Sequence, residues 1–247
     1  MIYDKLPIVL LSTIAGEKEG STNSVIARFI LNNTDTVQSM GIKNIADMCH
    51  VGTASISRFC KEIGLEGFAE LRELLAAHSD NAENSPEDYL TRVTESLRCC
   101  DDSMEKALLE ELCRDISSYQ KISAFGHLKA ETAAICFQAD MQSLGKEVYT
   151  NISFSEQINH IQSSGKDELI IIFSYTGTYF DGCGVQLSWA KGSRPKIWVI
   201  RGGNNKLPPF VSKSISFSSD AALEGHPYQL IYAEGKLFRQ YCESYRK

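Results

Sequence analysis

The sequence predicts two domains of different fold class: an all-α, helix-turn-helix domain at the amino terminus and a doubly wound α/β domain with a parallel sheet after it. Three observations support this division. Apolar residues recur at helical spacing throughout residues 1–77. Residues 78–87 form the most polar run in the chain, which predicts a linker and places the second domain at 88–247. After Tyr119, strand-length apolar runs alternate with helical segments, as they do in sheets with right-handed crossovers.

The helices of the first domain follow from the spacing of its apolar residues. One helix is predicted over residues 2–15, and a second runs from an N-cap at Ser21 or Thr22 to Asn32. Two short helices come next, and a last one starts near Phe68. Together these helices are expected to close a small core of their own.

The stretch from Ile42 to Gly64 predicts two short helices joined by a tight turn at His50-Val51-Gly52. Apolar residues occupy one face of each helix: Ile42, Ile45, Ala46 and Cys49 on the first, and Ile56, Phe59, Cys60 and Ile63 on the second. Because Ala46 is small, the helices can cross closely, which is the packing of a helix-turn-helix whose second helix lies in the DNA major groove. An ordinary αα-corner in a helical core is the alternative.

The outward face of this motif supplies the candidate DNA-binding residues, which are Lys43, Thr53, Ala54, Ser57, Arg58 and Lys61. We expect Arg58 and Lys61 to contact DNA, with Thr53 and Ser57 near base edges. The surrounding charge is not basic, since residues 1–78 hold seven Lys and Arg against nine Asp and Glu. A weakly basic face usually needs two copies for useful affinity, so the predicted partners are a double-stranded DNA operator and further copies in a homodimer or higher homo-oligomer.

The second domain is predicted to begin with helical segments over residues 87–117 and to end with a helix over Tyr228–Tyr245. Between them, strands are predicted at Lys121–Phe125, Lys146–Tyr149, Leu169–Phe173, Lys196–Ile200 and Ser214–Phe217. Helices are predicted at Ala130–Leu144, at Ser155–Ile161, and from the end of a loop at Thr178 to about Lys191. The run Leu169–Phe173 is continuously apolar, which indicates a strand covered on both faces.

Ligands of such sheets bind where the strands end and loops lead into helices. The loop after the first strand offers Gly126, His127 and Lys129. The loop after the most buried strand is the better candidate and contains Ser174, Tyr175, Thr176, Gly177 and Thr178. Its hydroxyl groups, its glycine and the positive end of the predicted next helix suit a phosphate or another anion. The alternative is a turn whose hydroxyls only cap that helix.

Patterns for catalysis, metals and membranes are weak or missing in the sequence. Glu224, His226, His127 and His160 could supply an acid–base pair, but no spacing joins them. There is no G-x-S-x-G nucleophile motif, no P-loop and no metal-ligand spacing, so we predict no enzyme, metal or cofactor. The eight cysteines are scattered, no apolar run has the length of a membrane span, and no leader pattern is present, so we expect a cytoplasmic protein without a membrane partner.

Several motifs together resemble one family. They include Ile45-Ala46, the core Arg58-Phe59-Cys60-Lys61, the ending Gly64-x-x-Gly67-Phe68 and the loop Ser174-Tyr175-Thr176-Gly177. This combination resembles RpiR-type transcriptional regulators, which join a helix-turn-helix domain to a sugar-isomerase (SIS) domain. The resemblance implies a DNA-binding regulator whose SIS-like domain senses a phosphorylated sugar or a related anionic sugar derivative. The alternatives are a sugar-phosphate isomerase with an added helical domain and a regulator whose SIS domain is a ligand-free dimerisation scaffold.

The sequence departs from the family pattern at identifiable positions. His50 stands where the family has a turn glycine, and Gly52 stands where a serine caps the recognition helix. In the SIS-like part, the departures are Leu128, Ala130, Tyr179, Arg201 and Lys206, which replace mainly glycine or hydroxyl residues. Either the ligand differs from that of the family, or Lys129, Arg201 and Lys206 supply cations in place of hydroxyls, or the domain is a scaffold.

Overall fold

A computed structural model describes residues 6–63, 65, 67–76, 88–180, 187–203, 205–219 and 227–245. These residues form two compact units. One unit contains the described residues up to Ala76 together with 151–159 and Phe180, and the other contains the remaining described residues. The predicted linker at 78–87 lies outside the described residues, so the domain boundaries stay a prediction.

Helices account for the regular structure of the first unit as far as Ala76. They are α1 (Leu6–Gly16), α2 (Thr22–Asn32), α3 (Thr34–Val37), α4 (Ile42–Met48), α5 (Thr53–Glu62) and α6 (Phe68–Ala76). The side chain of Ser21 caps α2 by accepting a hydrogen bond from the Ser24 N–H, which confirms the predicted start. The single turn α3 was not predicted, since the polar run at Asn32 and Asn33 only indicated the end of α2.

The predicted inner faces of α4 and α5 lie in the core of this unit. Ile45 and Ala46 are buried on α4, and Ile56, Phe59 and Cys60 are buried on α5. They pack with apolar residues of the other helices, including Leu10, Ile26, Ile30, Leu71 and Leu74. The helix pair therefore has the predicted packing, in which one apolar face of each helix is removed from water.

The second unit is built on a four-stranded parallel sheet with the order β1-β2-β3-β4. Its strands are β1 (Lys121–Phe125), β2 (Glu168–Ser174), β3 (Lys196–Gly202) and β4 (Lys213–Phe217). The helices that follow α6 along the chain are α7 (Tyr89–Ser103), α8 (Lys106–Ser118), α9 (Glu131–Ser143), α10 (Phe154–Ser163) and α11 (Tyr228–Tyr245). Every residue of β2 is buried, as expected for a parallel strand covered on both faces.

The predicted strand at Lys146–Tyr149 is wrong for most of its length. Only Tyr149 pairs with β1, through a parallel bridge to Ser123. The Tyr149 N–H donates to the Ile122 carbonyl at 2.9 Å, and the Ala124 N–H donates to the Tyr149 carbonyl at 2.9 Å. β2 pairs with the other edge of β1. The chain therefore adds Tyr149 on one side of β1 and the other strands on the opposite side, which is the doubly wound arrangement.

The predicted helix between Thr178 and Lys191 is also wrong where the structure describes it. Residues 175–180 form turns, and residues 187–190 are neither helix nor strand. Residues 181–186 lie outside the described part of the chain. Gly177 and Gly192 bound this stretch with φ values of 72° and 81°, which lie outside the range of a right-handed helix.

Among the described residues, none of the helices combines the length and the apolar content that a membrane crossing requires.

Candidate functional site

The turn of the helix-turn-helix forms at His50-Val51-Gly52, as predicted. His50 adopts a positive φ of 54°, and the Val51 N–H donates to the Ala46 carbonyl at 2.9 Å. Gly52 is the N-cap of α5, with an extended backbone and no side chain to cap the helix. The turn therefore forms as expected, although His50 and Gly52 depart from the family pattern.

The candidate DNA-binding residues lie on the outside of this motif. Thr53, Ala54, Arg58 and Lys61 on α5 and Lys43 on α4 are exposed, and Ser57 is half-buried. Arg58 and Lys61 stand about one helical turn apart on α5. No described carboxylate forms an ion pair with Lys43, Arg58 or Lys61, so their charges are available to a partner.

The loop after β1 is occupied by a carboxylate that the sequence interpretation missed. Glu131 is 2% exposed and lies in the first turn of α9. Its Oε2 accepts from the Gly126 N–H at 2.7 Å, and its Oε1 accepts from the Thr150 hydroxyl at 2.5 Å. A negative charge at the amino end of α9 is favourable to the helix, but it opposes a bound anion at the same place.

The other two candidates of this loop differ in exposure. The half-buried His127 has its ring 4.8 Å from the ring of Tyr179, whereas the side chain of Lys129 is exposed. Burial, followed by the nearby Glu131 carboxylate, raises the pKa of the Tyr179 hydroxyl. The structure thus places Gly126, His127 and Lys129 in one loop. The charged group buried beside this loop is the Glu131 carboxylate, whereas the Lys129 cation is exposed.

The loop after β2 is a tight turn that is closed by hydrogen bonds. The Gly177 N–H donates to the Ser174 carbonyl at 3.0 Å, and Gly177 has a φ of 72°. The hydroxyls of Thr176 and Thr178 lie 2.5 Å apart and form a hydrogen bond. Ser174 is buried, Tyr175 and Thr178 are half-buried, and Thr176 is exposed. Because turns rather than a helix follow in residues 175–180, the predicted contribution of a helix dipole is wrong for the described residues.

Arg201 lies against this loop. It pairs with Ser174 in the register of β2 and β3 and is 8% exposed. A Cβ on Gly177 would lie 3.0 Å from Arg201 Cδ and 3.3 Å from Arg201 Nη1, so the glycine makes room for the arginine. Arg201 Nε donates to the Ser216 hydroxyl at 3.2 Å, and Nη1 donates to the Asn205 carbonyl.

The charge of Arg201 has no described carboxylate as a partner. Its two hydrogen-bond acceptors are neutral oxygens. Burial lowers the pKa of the guanidinium, as expected for a cation removed from water. The other two cations considered for this edge, Lys129 and Lys206, are exposed. Arg201 is therefore the buried cation of the three.

The acid–base candidates are not brought together at the ligand edge by the described residues. His160 Nε2 lies 2.6 Å from Glu168 Oε1 and 2.9 Å from Ser123 Oγ, and its ring stacks on Tyr149 at 4.4 Å. Serine and carboxylate meet the same ring nitrogen, whereas a catalytic triad uses one nitrogen for each. Glu168 opens β2 and so lies at the opposite end of that strand from Ser174. Glu224 and His226 lie outside the described residues.

Hydrogen bonding favours the ionised form of Glu168. Burial alone would raise the pKa of Glu168, but hydrogen bonds from His160, Ser123 and Ser164 outweigh it and lower the pKa. The cluster joins β1, β2 and α10 in a way that is typical of a structural contact. Among the described residues, no group of three or more histidine, cysteine and acidic side chains is placed to hold a metal ion.

Comparison with known proteins finds relatives of the helix-turn-helix region. The family model described as "Helix-turn-helix domain, rpiR family" matches residues 9–82. An uncharacterised HTH-type transcriptional regulator of Caldanaerobacter subterraneus subsp. tengcongensis is 43% identical over 51 residues. That alignment covers 21% of this chain and 18% of the relative, so the chain spans less than a fifth of the relative's length.

A solved structure of similar fold matches nearly the whole chain. The NanR protein of Vibrio vulnificus, complexed with ManNAc-6P, has a TM-score of 0.55 and 16% identity over 98% of this chain and 92% of that chain. The sugar isomerase domain of an RpiR transcription factor from Sphaerobacter thermophilus has a TM-score of 0.46 and 13% identity over 63% and 88% of the two chains, a similarity too weak to bear on the fold. Residues 9–82 are therefore similar to the helix-turn-helix domain of the rpiR family.

Proposed function

We propose that this chain is a transcription regulator that binds a double-stranded DNA operator and whose α/β domain senses an anionic sugar derivative. The outer face of α5 is the observation that supports DNA binding most strongly. Its inner residues are buried in the helical core, whereas Arg58 and Lys61 are exposed and form no described ion pair. A helix with this division of faces can enter the major groove while the rest of the domain holds it in place.

The proposed division of labour on α5 follows from side-chain chemistry. Arg58 and Lys61 neutralise phosphates or reach guanine, and the short side chains of Thr53, Ala54 and Ser57 let the helix approach base edges closely. Lys43 on α4 would add a phosphate contact. Because Gly52 leaves the amino end of α5 without a side-chain cap, backbone N–H groups there can also face a phosphate.

A homodimer or higher homo-oligomer is part of this proposal. Seven basic residues stand against nine acidic ones in residues 1–78, so one copy offers no net positive charge to DNA. Two linked copies bind two half-sites and gain affinity through effective concentration without any new contact. A regulator of this kind would act in the cytoplasm, where its operator lies, and no catalytic step is part of the proposal.

Two observations support an anionic sugar derivative as the ligand. NanR, whose fold is similar, was solved with ManNAc-6P. In this chain, the hydroxyl-bearing loop from Ser174 to Thr178 lies at the carboxyl end of the central strand β2, where ligands of such sheets bind. Binding there would change the affinity for DNA.

Selection of DNA sequences tests the proposal directly. The full chain is incubated with random double-stranded oligonucleotides, and bound sequences are enriched over several rounds. We expect a motif with twofold symmetry whose half-sites are about one helical turn apart. Arg58→Ala should bind the enriched duplex roughly 5- to 150-fold more weakly, since a specific arginine contact is worth about 1–3 kcal/mol.

The matched control is Arg98→Ala, which removes an exposed arginine from α7 in the other unit. It should bind the duplex as the unaltered chain does. The proposal fails if no sequence is enriched, or if Arg58→Ala and Arg98→Ala bind equally well at every salt concentration.

A further inference from the structure

We propose that Arg201 selects the ligand of the α/β domain, by binding a phosphate or carboxylate group of a small sugar derivative against the loop from Ser174 to Thr178. This inference rests on the proposed ligand-sensing function and names the chemistry of its site. It also excludes the loop after β1 as the place of the anionic group.

The charge of Arg201 is buried and calls for a partner. Arg201 is 8% exposed and has no described carboxylate partner. A buried charge is costly unless it is paired, and an unpaired one is seldom retained for stability. An oxyanion in the site would supply the missing partner.

Arg201 has more hydrogen-bond donors than its described contacts use. A guanidinium has five N–H groups, of which the described contacts use one on Nε and one on Nη1. The planar fork can then present its remaining donors to two oxygens of one group, which is the geometry of phosphate and carboxylate recognition. Serine or threonine at this position would offer a single hydroxyl.

The position of Arg201 in the sheet places it beside the candidate loop. It stands beside Ser174 in the register of β2 and β3, and its side chain lies against Gly177. The hydroxyls of Thr176 and Thr178, on either side of Gly177, form a hydrogen bond with each other. The cation and the hydroxyl groups therefore belong to the same stretch of the ligand edge.

The loop after β1 has the opposite chemistry. The Glu131 carboxylate holds the Gly126 N–H, which an anion would otherwise use. It also repels negative charge from the amino end of α9. A ligand with one anionic end is thus oriented, with that end toward Arg201 and its neutral hydroxyls toward the loop after β1.

The test measures binding of three probes to the full chain by titration calorimetry: glucose 6-phosphate, glucuronate and glucose. The unaltered chain should bind at least one of the two charged sugars and not glucose, and the stronger of the two shows which oxyanion the site prefers. Arg201→Gln should weaken that binding roughly 10- to 100-fold, because it removes charge-assisted hydrogen bonds. Lys166→Gln, which removes an exposed cation near the opposite end of β2, should bind as the unaltered chain does.

Folding is checked separately by thermal unfolding without ligand. Arg201→Gln should unfold at the same temperature or a higher one, since it removes an unpaired buried charge. If it does not fold, Arg201→Lys decides the matter: it keeps the charge but loses the fork, and should bind the charged sugar at least about threefold more weakly.

Three results would overturn the inference. They are binding of glucose as strong as that of the charged sugars, unchanged affinity in the folded Arg201 variants, and no binding of either charged sugar up to about 50 mM. DNA binding by the same preparations separates this failure from that of the proposed function. If the unaltered chain binds its selected duplex while any of these results is found, only the ligand inference is wrong.

Discussion

At the scale of single residues, His50 shows how a local strain is tolerated at the turn between α4 and α5. Its φ of 54° lies in the left-handed region, which costs a residue with a Cβ roughly 1–2 kcal/mol. Histidine enters this region more readily than most residues do. The hydrogen bond from the Val51 N–H to the Ala46 carbonyl fixes the turn around it.

His50→Gly should therefore stabilise the folded chain by about 1 kcal/mol, because glycine adopts a positive φ without the Cβ clash. Part of the gain is offset by the greater freedom of glycine in the unfolded chain. Urea unfolding of the full chain measures the difference. His50→Ala is the control, and it should be no more stable than the unaltered chain. Equal stability of His50→Gly and His50→Ala would show that the turn is not strained.

The residue scale is also where sequence interpretation reached its limit in the ligand site. The hydroxyls and Gly177 of the loop after β2 could be found from their types and spacing. The placement of Glu131 could not, because its bonds to Gly126 and Thr150 depend on how separate segments meet in space. The only local signal was an acidic residue in the first turn of a helix, which usually means no more than a favourable dipole interaction.

At the scale of elements, α11 contains a buried carboxyl group with an unusual titration. Glu234 is 2% exposed, and its Oε1 has no hydrogen-bond partner among the described residues. Burial, with a smaller contribution from Asp140 on α9, raises the pKa of Glu234 from 4.5 to about 8. The group is therefore neutral in the folded protein near pH 7.

The raised pKa predicts the sign of a pH effect on stability. Between about pH 4.5 and 8, the folded chain keeps the Glu234 proton and the unfolded chain releases it. This contribution to the free energy of unfolding is present at low pH and is lost as the pH rises, by up to about 1.4 kcal/mol per pH unit. Glu234→Gln cannot ionise, so it should gain stability relative to the unaltered chain as the pH rises from 5 to 8.

Urea unfolding at several pH values measures this difference. Glu95→Gln, at an exposed position on α7, is the control and should follow the unaltered chain at every pH. Parallel pH curves for Glu234→Gln and the unaltered chain would contradict the neutral state of Glu234 in the folded protein.

Helices and strands were predicted correctly where the apolar pattern was long. They were predicted wrongly where pairing or packing with another segment decides the structure. The helix α11 was predicted with the bounds that the structure shows, and β2 differs by one residue at each end. The strand at Lys146–Tyr149 was predicted from a four-residue stretch, yet only Tyr149 reaches β1. An edge strand needs a partner along its whole length, and a four-residue pattern carries no information about that partner.

At the scale of the whole molecule, charge limits how the chain can bind DNA. The full sequence has a net charge of −6, so the attraction to DNA must come from the local face on α4 and α5 rather than from the overall field. Binding through a few phosphate contacts depends on salt in proportion to their number. The organisation into two domains was recognisable from sequence because one polar run separates two different apolar periods.

The central claim is that ligand binding in the α/β domain controls DNA binding by α5. It is tested most directly by measuring the affinity for the selected duplex with and without a saturating concentration of glucose 6-phosphate or glucuronate. We predict a change of at least about fivefold in the unaltered chain, the size of an ordinary coupling between two sites, and no change in Arg201→Gln. DNA affinity that stays the same when either ligand is bound would contradict the account and favour a domain that serves only as a dimerisation scaffold.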